Sequence, residues 1–398
     1  MPINSQTRSR VSQKTGKFTE SVIREMTRLA NRYDAINLSQ GFPDFSAPEF
    51  IKEAACSAIR ADVNQYAVTW GSPSLREALR LYYQRFYDFE VDPELEITVC
   101  CGATESMISA MLGVVDQGDN IIIFEPFYEN YGPDAIISGA KPNFVSLDLE
   151  LELAFDAFEL RTLLSNLEDR GGTRAMILNT PHNPTGKVFS LQELQCLAEL
   201  AQEFDFYIIT DEIYEHIIYK GQHHLMASLE GMKNRTITIS GLSKTFSVTG
   251  WRVGYILAAP DITESIRKMH DFLTVGAPAP LQEAGAQALQ MPNSYFENLL
   301  EDYTERRNFL VAALKRVGFR VWEPEGSYYI MSDISSITEM DDVSFVDWMI
   351  KNIGVAAVPG SSFYHRPEKG RHLIRFAFCK TMKLLREAVS RLEHLRSQ

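Results

Sequence analysis

The sequence predicts an α/β protein built on a largely parallel sheet with helices on both faces. Three observations carry that expectation. Short apolar, β-branched runs recur through the middle of the chain. Segments of helical pattern lie between them, at 104–115, 190–204 and 262–273. Polar residues able to do chemistry gather after the C-terminal end of each run. Continuous apolar strands that alternate with helices belong to sheets buried on both faces.

The runs can be taken in order. Glu96 to Cys101 leads into Gly102-Ala103-Thr104-Glu105, and Asn120 to Phe124 leads into Glu125-Pro126-Phe127-Tyr128. Ala175 to Leu178 leads into NTPHNPTG at 179–186. Phe206 to Thr210 leads into Asp211-Glu212-Ile213-Tyr214, and Thr236 to Ile239 leads into Lys244. Open α/β sheets place their ligands beyond the carboxyl ends of the strands. One crevice is therefore expected to gather Gly102 to Thr104, Tyr128, Asn183, Asp211, Tyr214 and Lys244.

Each position has a chemical reading beside an ordinary one. Gly102-Ala103-Thr104 opens a helix, and free amides at a helix N-terminus bind phosphate; Thr104 also suits a plain N-cap. Asp211 suits the protonated nitrogen of a pyridine ring, or a cap or ion pair. Tyr128 offers a face for ring stacking, or packing alone. Asn183 is a turn residue whose amide is also a donor. Arg252 suits bidentate phosphate binding, or a surface salt bridge.

Lys244 lies in SGLSKTFSVTGWRVG, residues 240–254, among small neutral residues at a strand end. In the next twenty residues the acids are Asp261 and Glu264. Partial burial lowers a lysine pKa and frees the amine as a nucleophile, which a Schiff-base lysine requires.

Composition narrows the rest. The 398 residues suffice for two or three domains, and 45% are hydrophobic. A net charge of −13 argues against nucleic acid or an anionic membrane as partner. No apolar run approaches the roughly 20 residues of a membrane span. The N-terminus lacks an apolar signal segment and carries no acid before Glu20. That faintly resembles a transit peptide, but the arm of a cytoplasmic protein is the expectation. Cysteines 56, 100, 101, 196 and 379 show no metal spacing and are expected to be reduced and mostly buried. No metal site is expected.

Gly241-Leu242-Ser243-Lys244, Ser247-Val248 and Gly250-Trp251-Arg252-Val253-Gly254 resemble the lysine signature of class I and II aminotransferases, which bind pyridoxal phosphate. Over nearly its whole length the chain resembles fold-type I enzymes of that cofactor. The nearest branch looks like the kynurenine–oxoglutarate and glutamine transaminases and the bacterial methionine aminotransferases. NLSQGFPDFSAPEF (37–50), NTPHNPTGKVF (179–189), TDEIYEH (210–216) and PEGSYYIMSDIS (324–335) carry the likeness, with VAAVPGSSFYHRP and LIRFAFCK near the end.

The resemblance implies a large domain at 50–285 with a mostly parallel central sheet. A smaller α+β domain would combine residues 1–49 with 286–398. It implies that Lys244 forms the Schiff base and shuttles the proton, and that Asp211 pairs with the ring nitrogen. Asn183 and Tyr214 would bind the ring oxygen, Tyr128 would stack on the ring, and Ala103, Thr104 and Arg252 would hold the phosphate. Gly41, Asn183 and Arg375 would take the substrate carboxylate. Tyr66 would reach the phosphate of a partner subunit's cofactor, which implies a homodimer. The expected reaction is ping-pong transfer from an amino acid to a 2-oxo acid. A lyase or cyclase on the same scaffold is the alternative. A regulatory protein of this fold would carry a DNA-binding extension, which this acidic chain lacks.

Two departures matter. Gly241 stands where many relatives have a phosphate-binding serine, so Ser243 or Ser240 would have to replace it. Near Val275-Gly276 and Ile23 the bulky residues of kynurenine-type enzymes are missing. The stretch His270–Pro280 also contains no arginine or lysine for a distal carboxylate. Neutral, sulfur-containing or aromatic donors are therefore expected. A basic donor read by Glu20 is the rival.

Overall fold

In the computed structural model, which describes residues 10–397, a seven-stranded sheet forms the centre of the molecule. The first nine residues of the predicted arm lie outside the described residues. Across the sheet the strands run Ile97–Cys100, Gly254–Leu257, Thr236–Gly241, Tyr207–Asp211, Thr173–Asn179, Asn120–Glu125 and Lys141–Ser146. Gly254–Leu257 is antiparallel to both of its neighbours, and the remaining pairs are parallel. All five predicted strands are present, and they end on the same edge of the sheet.

The burial pattern follows the sequence. Ile97–Cys100, Asn120–Glu125 and Thr236–Gly241 are buried at every position, as expected of strands covered on both faces. Lys141–Ser146 is an edge strand and largely half-exposed. Its Lys141, Pro142 and Asn143 blunt that edge, and for the same reason it gave no strand signal in the sequence. The expected helices span Ala103–Val114, Leu191–Glu203 and Pro260–Thr274. Ser190 and Glu193 close the second with a reciprocal capping box.

A four-stranded antiparallel sheet forms a second layer, in the order Val358–Pro359, Leu373–Ala377, Tyr329–Asp333, Arg320–Trp322. The N-terminal segment joins it. Ile36-Asn37 pairs in parallel with Val355-Ala356. Helix Val22–Arg32 buries Ile23, Met26 and Ala30 on one face. Ile23 packs with Val358, Phe363 and Leu373. Burying an isoleucine contributes roughly 1.5–3 kcal/mol, so this helix is seated rather than loose. One apolar cluster joins Met26, Ile36 and Leu38 to residues 299–392. Phe296 clusters instead with Phe246 and the helix 73–87. Helix Asn293–Val317 therefore contributes to both clusters, Phe296 to one and Leu299 to the other.

Candidate active site

Beyond the carboxyl edge of the large sheet lies a cavity of about 430 Å³. Nine of the predicted residues line it: Gly41, Ala103, Thr104, Tyr128, Asn183, Asp211, Tyr214, Lys244 and Arg252. Arg375 and Tyr66 do not.

Lys244 follows Thr236–Gly241 and is half-buried. Its Nζ donates to the Gly41 carbonyl at 3.2 Å and makes no carboxylate contact. The rings of Tyr328 and Tyr214 lie 5.7 and 5.9 Å away. Burial pushes its pKa down to about 8, with Arg252 and Arg375 adding to the fall. The sign follows directly: an ammonium that is poorly solvated releases its proton at lower pH. In cofactor-free protein, acylation of Lys244 mapped by mass spectrometry should rise with pH about a midpoint near 8. A midpoint near that of the exposed lysines would refute the burial argument.

Asp211 closes the strand Tyr207–Asp211 and is buried. Burial raises its pKa, and the hydroxyl of Tyr131 opposes this by donating to Oδ2 at 2.8 Å. Its backbone carbonyl accepts from Asn179 Nδ2 at 2.8 Å, and Asn179 Oδ1 accepts from the Asn183 amide at 2.7 Å. Asn183 Oδ1 in turn accepts from Arg375 Nη1 at 2.8 Å. With that oxygen taken, Nδ2 is left as the free donor of Asn183. Tyr214 and Tyr329 join hydroxyls at 3.1 Å.

Arg375 is fully buried behind Asn183 and Tyr329, both of which line the cavity. Its Nη2 donates to the Ser39 carbonyl at 2.7 Å, and Nε has no partner. The guanidinium lies 4.1 Å from the Tyr329 ring centroid. A Cβ on Gly41 would fall 2.0 Å from the Tyr329 hydroxyl, so glycine is required at that contact.

The helix Ala103–Val114 begins at the cavity with Gly102 as its cap, and no side chain caps it. A Cβ on Gly102 would sit 2.3 Å from Arg252 Nη2, so the glycine admits the guanidinium. Arg252 holds a left-handed backbone, φ 53°, a strained conformation for a non-glycine residue. It donates to the carbonyls of Thr249 and Cys101 and to no acid. Gly241 has no room for a side chain, since a Cβ would meet the Gly254 Cα at 2.9 Å. Of the two substitutes expected, Ser240 is committed to Glu215 at 3.0 Å, whereas Ser243 lines the cavity.

The donor set fits pyridoxal phosphate. Three cations, Lys244, Arg252 and Arg375, lack carboxylate partners among the described residues. An uncapped helix start and an orphaned guanidinium nitrogen await anionic oxygen. A buried carboxylate waits for a cation. A phosphorylated pyridine and a carboxylate substrate satisfy each of these.

The family model described as aminotransferase class I and II matches residues 33–392. The chain belongs to the class I and II aminotransferases. Enzymes of this class use pyridoxal 5'-phosphate. A probable N-succinyldiaminopimelate aminotransferase of Mycobacterium tuberculosis is 37% identical, covering 95% of this chain and 96% of that one. A solved structure of the N-succinyldiaminopimelate aminotransferase from that organism matches with a TM-score of 0.93 at 36% identity, covering 97% and 100% of the two chains. Human kynurenine–oxoglutarate transaminase 1 is 37% identical over 89% of this chain and 91% of its own. The methionine aminotransferase of Escherichia coli is 35% identical over 94% and 96%.

The aminotransferase also contains features that local sequence reading missed. Tyr131 lies one turn from Tyr128 and holds Asp211 from 80 residues away. Cys100, Glu105 and His270 meet in space although no metal spacing exists in the sequence. His270 Nδ1 faces Glu105 at 3.1 Å and Nε2 faces the Thr69 carbonyl at 2.8 Å. Both ring nitrogens are thus used as donors, so the cluster reads as a brace for the helix start at Ala103. Cys100 and Cys379 are buried as expected, and Cys56, Cys101 and Cys196 are half-exposed. Among the described residues no helix is long and apolar enough to cross a membrane.

Proposed function

We propose that this aminotransferase moves the amino group of a neutral, aromatic or sulfur-containing L-amino acid to a 2-oxo acid in two half-reactions. The observation that carries the proposal is a lysine amine of lowered pKa with no carboxylate partner, sharing a cavity with a buried aspartate. The cofactor, when bound, supplies an electron sink for the substrate carbon that loses its proton. Lys244 takes that proton and returns it, and positioned acid–base help of this kind is worth roughly 10²–10⁴-fold. Asp211, itself held by Tyr131, would pair with the protonated ring nitrogen. Asn183 and Tyr214 would bind the ring oxygen, Ala103, Thr104, Ser243 and Arg252 would hold the phosphate, and Tyr128 would stack on the ring. Gly41, Asn183 and Arg375 would take the substrate carboxylate.

The division into a large domain, 50–285, and a small one built from both termini is part of the same proposal. The cluster that joins Met26, Ile36 and Leu38 to residues 299–392 supports it, and that cluster also takes in Ile213, Tyr214 and Ile217 where the two domains meet. A cytoplasmic location belongs to it as well. The relatives named above are transaminases, and none of their names supports the lyase or cyclase alternative. A basic donor read by Glu20 is the less favoured reading, because Glu20 does not line the cavity and pairs with Arg28 at 2.6 and 3.0 Å.

A donor screen tests the reading. Methionine, glutamine, phenylalanine, arginine and aspartate would be assayed with 2-oxoglutarate, pyruvate and an aromatic oxo acid. Methionine, glutamine and phenylalanine should exceed aspartate. Release of ammonia without an acceptor would point to elimination instead.

The working unit is proposed to be a homodimer. Tyr66 is 86% exposed, and Val68, Phe272, Leu273 and Val275 are exposed apolar residues of the same two stretches. His270 ties the two stretches together through Thr69. Solvent-exposed apolar side chains gathered on one face mark a contact surface. Tyr66 would enter the partner's site. Mixed dimers of Lys244→Ala and Tyr66→Phe subunits should rebuild one intact site and recover activity. No recovery, with mixed dimers formed and Tyr66→Phe impaired, would refute it.

A further inference from the structure

The wall of the cavity holds a second carboxyl that the reaction scheme leaves unused. Asp134 stands in the first turn of helix Tyr131–Ser138, three residues after the tyrosine that holds Asp211. It lines the cavity, yet only 6% of it is exposed. Its Oδ2 is buried with no hydrogen-bond partner among the described residues. Buried polar groups are nearly always bonded, so a carboxyl left bare on a ligand cavity calls for an explanation. Burial alone pushes its pKa up to about 7, since neither a cation nor a donor offsets the loss of water.

The charged groups around Asp134 are committed elsewhere. On the facing helix Ala103–Val114 the acid is Glu105, which meets His270. The turn Gln13–Lys17 packs against helix Tyr131–Ser138. Its Lys14 donates to the Ile137 carbonyl at 3.0 Å, and its Lys17 is exposed. Strand Lys141–Ser146, packed on the same helix, carries the exposed Lys141 as its one charge. In the cavity wall Lys244 and Arg252 donate to backbone carbonyls, Glu129 accepts from the Ser21 hydroxyl, and Arg24 acts on Glu20. Asp211 is the charged group with which Asp134 shares a neighbour. Burial, then Asp211 and Asp134, keep the Tyr131 hydroxyl protonated. That hydroxyl donates to Asp211 and sits in the field of both carboxyls.

We propose that Asp134 is a second acid of the cofactor site, whose negative charge adds to that of Asp211 in holding a protonated pyridine ring. The inference rests on the reading of Asp211 as the partner of the ring nitrogen. Asp134 is bonded neither to Asp211 nor to Tyr131, so it acts through the field they share and is a positioning residue. Its contribution depends on pH. Well below pH 7 the carboxyl is neutral and Asp211 acts alone. Above that its charge is expressed. A cation bound in the cavity favours the ionised form, so binding of a pyridinium draws a proton off Asp134.

The test uses pyridoxine 5'-phosphate, which has the ring and the phosphate but no aldehyde to bond with Lys244. Its Kd for the cofactor-free full-length chain is measured by calorimetry at pH 5.5 and 8.5, in wild type and Asp134→Asn. The two proteins should nearly agree at pH 5.5. At pH 8.5 the wild type should bind roughly 3- to 30-fold tighter, as expected for a charge several ångström away in a partly polar cavity. Comparing the proteins at each pH cancels the titration of the ligand and of every group they share. Inorganic phosphate, which lacks the ring, should show no such gain. A ratio that does not change with pH, or an equal gain with phosphate, would overturn the proposal. A wild type that binds no pyridoxine phosphate at either pH would refute the cofactor reading of the cavity as well. Melting gives a second readout. Asp134 ionises near about 4 when unfolded and about 7 when folded, so the wild type loses stability as pH rises toward 7 and the variant does not. The Tm of Asp134→Asn relative to wild type should therefore grow by roughly 2 °C or more between the two pH values. An unchanged difference would overturn the proposal. Asp134→Ala should show both pH dependences too, and their absence there would count equally against it.

Discussion

Lys244→Ala is expected to keep its fold and lose steady-state transamination. Removing the amine deletes both the group that binds cofactor covalently and the acid–base that moves the α-proton, the second alone worth roughly 10²–10⁴-fold. The fold should survive because Lys244 makes a single hydrogen bond, to the Gly41 carbonyl. Tyr328 holds the same carbonyl at 2.7 Å, so the substitution orphans nothing. Burial lowers the Lys244 pKa to about 8, so at neutral pH the folded protein holds a poorly solvated ammonium. Alanine relieves that cost. The cofactor-free variant should therefore melt at the same temperature as the parent, or above it. A variant with ordinary turnover, or one that is unfolded, would count against this.

Arg375→Ala should cost every amino acid alike. Truncating one partner of a buried charge pair costs roughly 2–5 kcal/mol, which is on the order of 30-fold or more in kcat/KM. The buried Arg375 also supports Asn183 Oδ1 and the Ser39 carbonyl, so its loss leaves two acceptors unpaired. Side-by-side kcat/KM values for aspartate, methionine, phenylalanine, glutamine and arginine test this. Uniform losses place Arg375 at the carboxylate common to all of them. A loss confined to aspartate would make it a side-chain reader.

The central sheet was legible because its inner strands are apolar on both faces and alternate with helical segments. Lys141–Ser146 was not, since an edge strand is written in polar residues. Gly254–Leu257 was not either, because four residues after a glycine-rich turn give too short a pattern. At the site, the residues that end strands announced themselves by position: Asp211, Asn183 and Lys244 each follow an apolar run. Contacts made from elsewhere did not. Tyr131 meets Asp211, and Tyr329 meets Tyr214, only because the sheet brings distant segments together. Glu20 was the charge expected from the N-terminal segment that borders the pocket. It precedes helix Val22–Arg32, whose first turn brings Arg24 to the cavity lining instead. Which single charge of such a segment meets a substrate depends on where the chain enters the helix, which a sequence pattern fixes poorly.

The most direct test of the central claim is to reduce the holoenzyme with borohydride and map the peptide that retains the cofactor. The label is expected on the peptide containing Lys244, at one per chain, and absent from Lys244→Ala. Stoichiometric labelling of any other lysine would contradict the assignment of Lys244 and the site built around it.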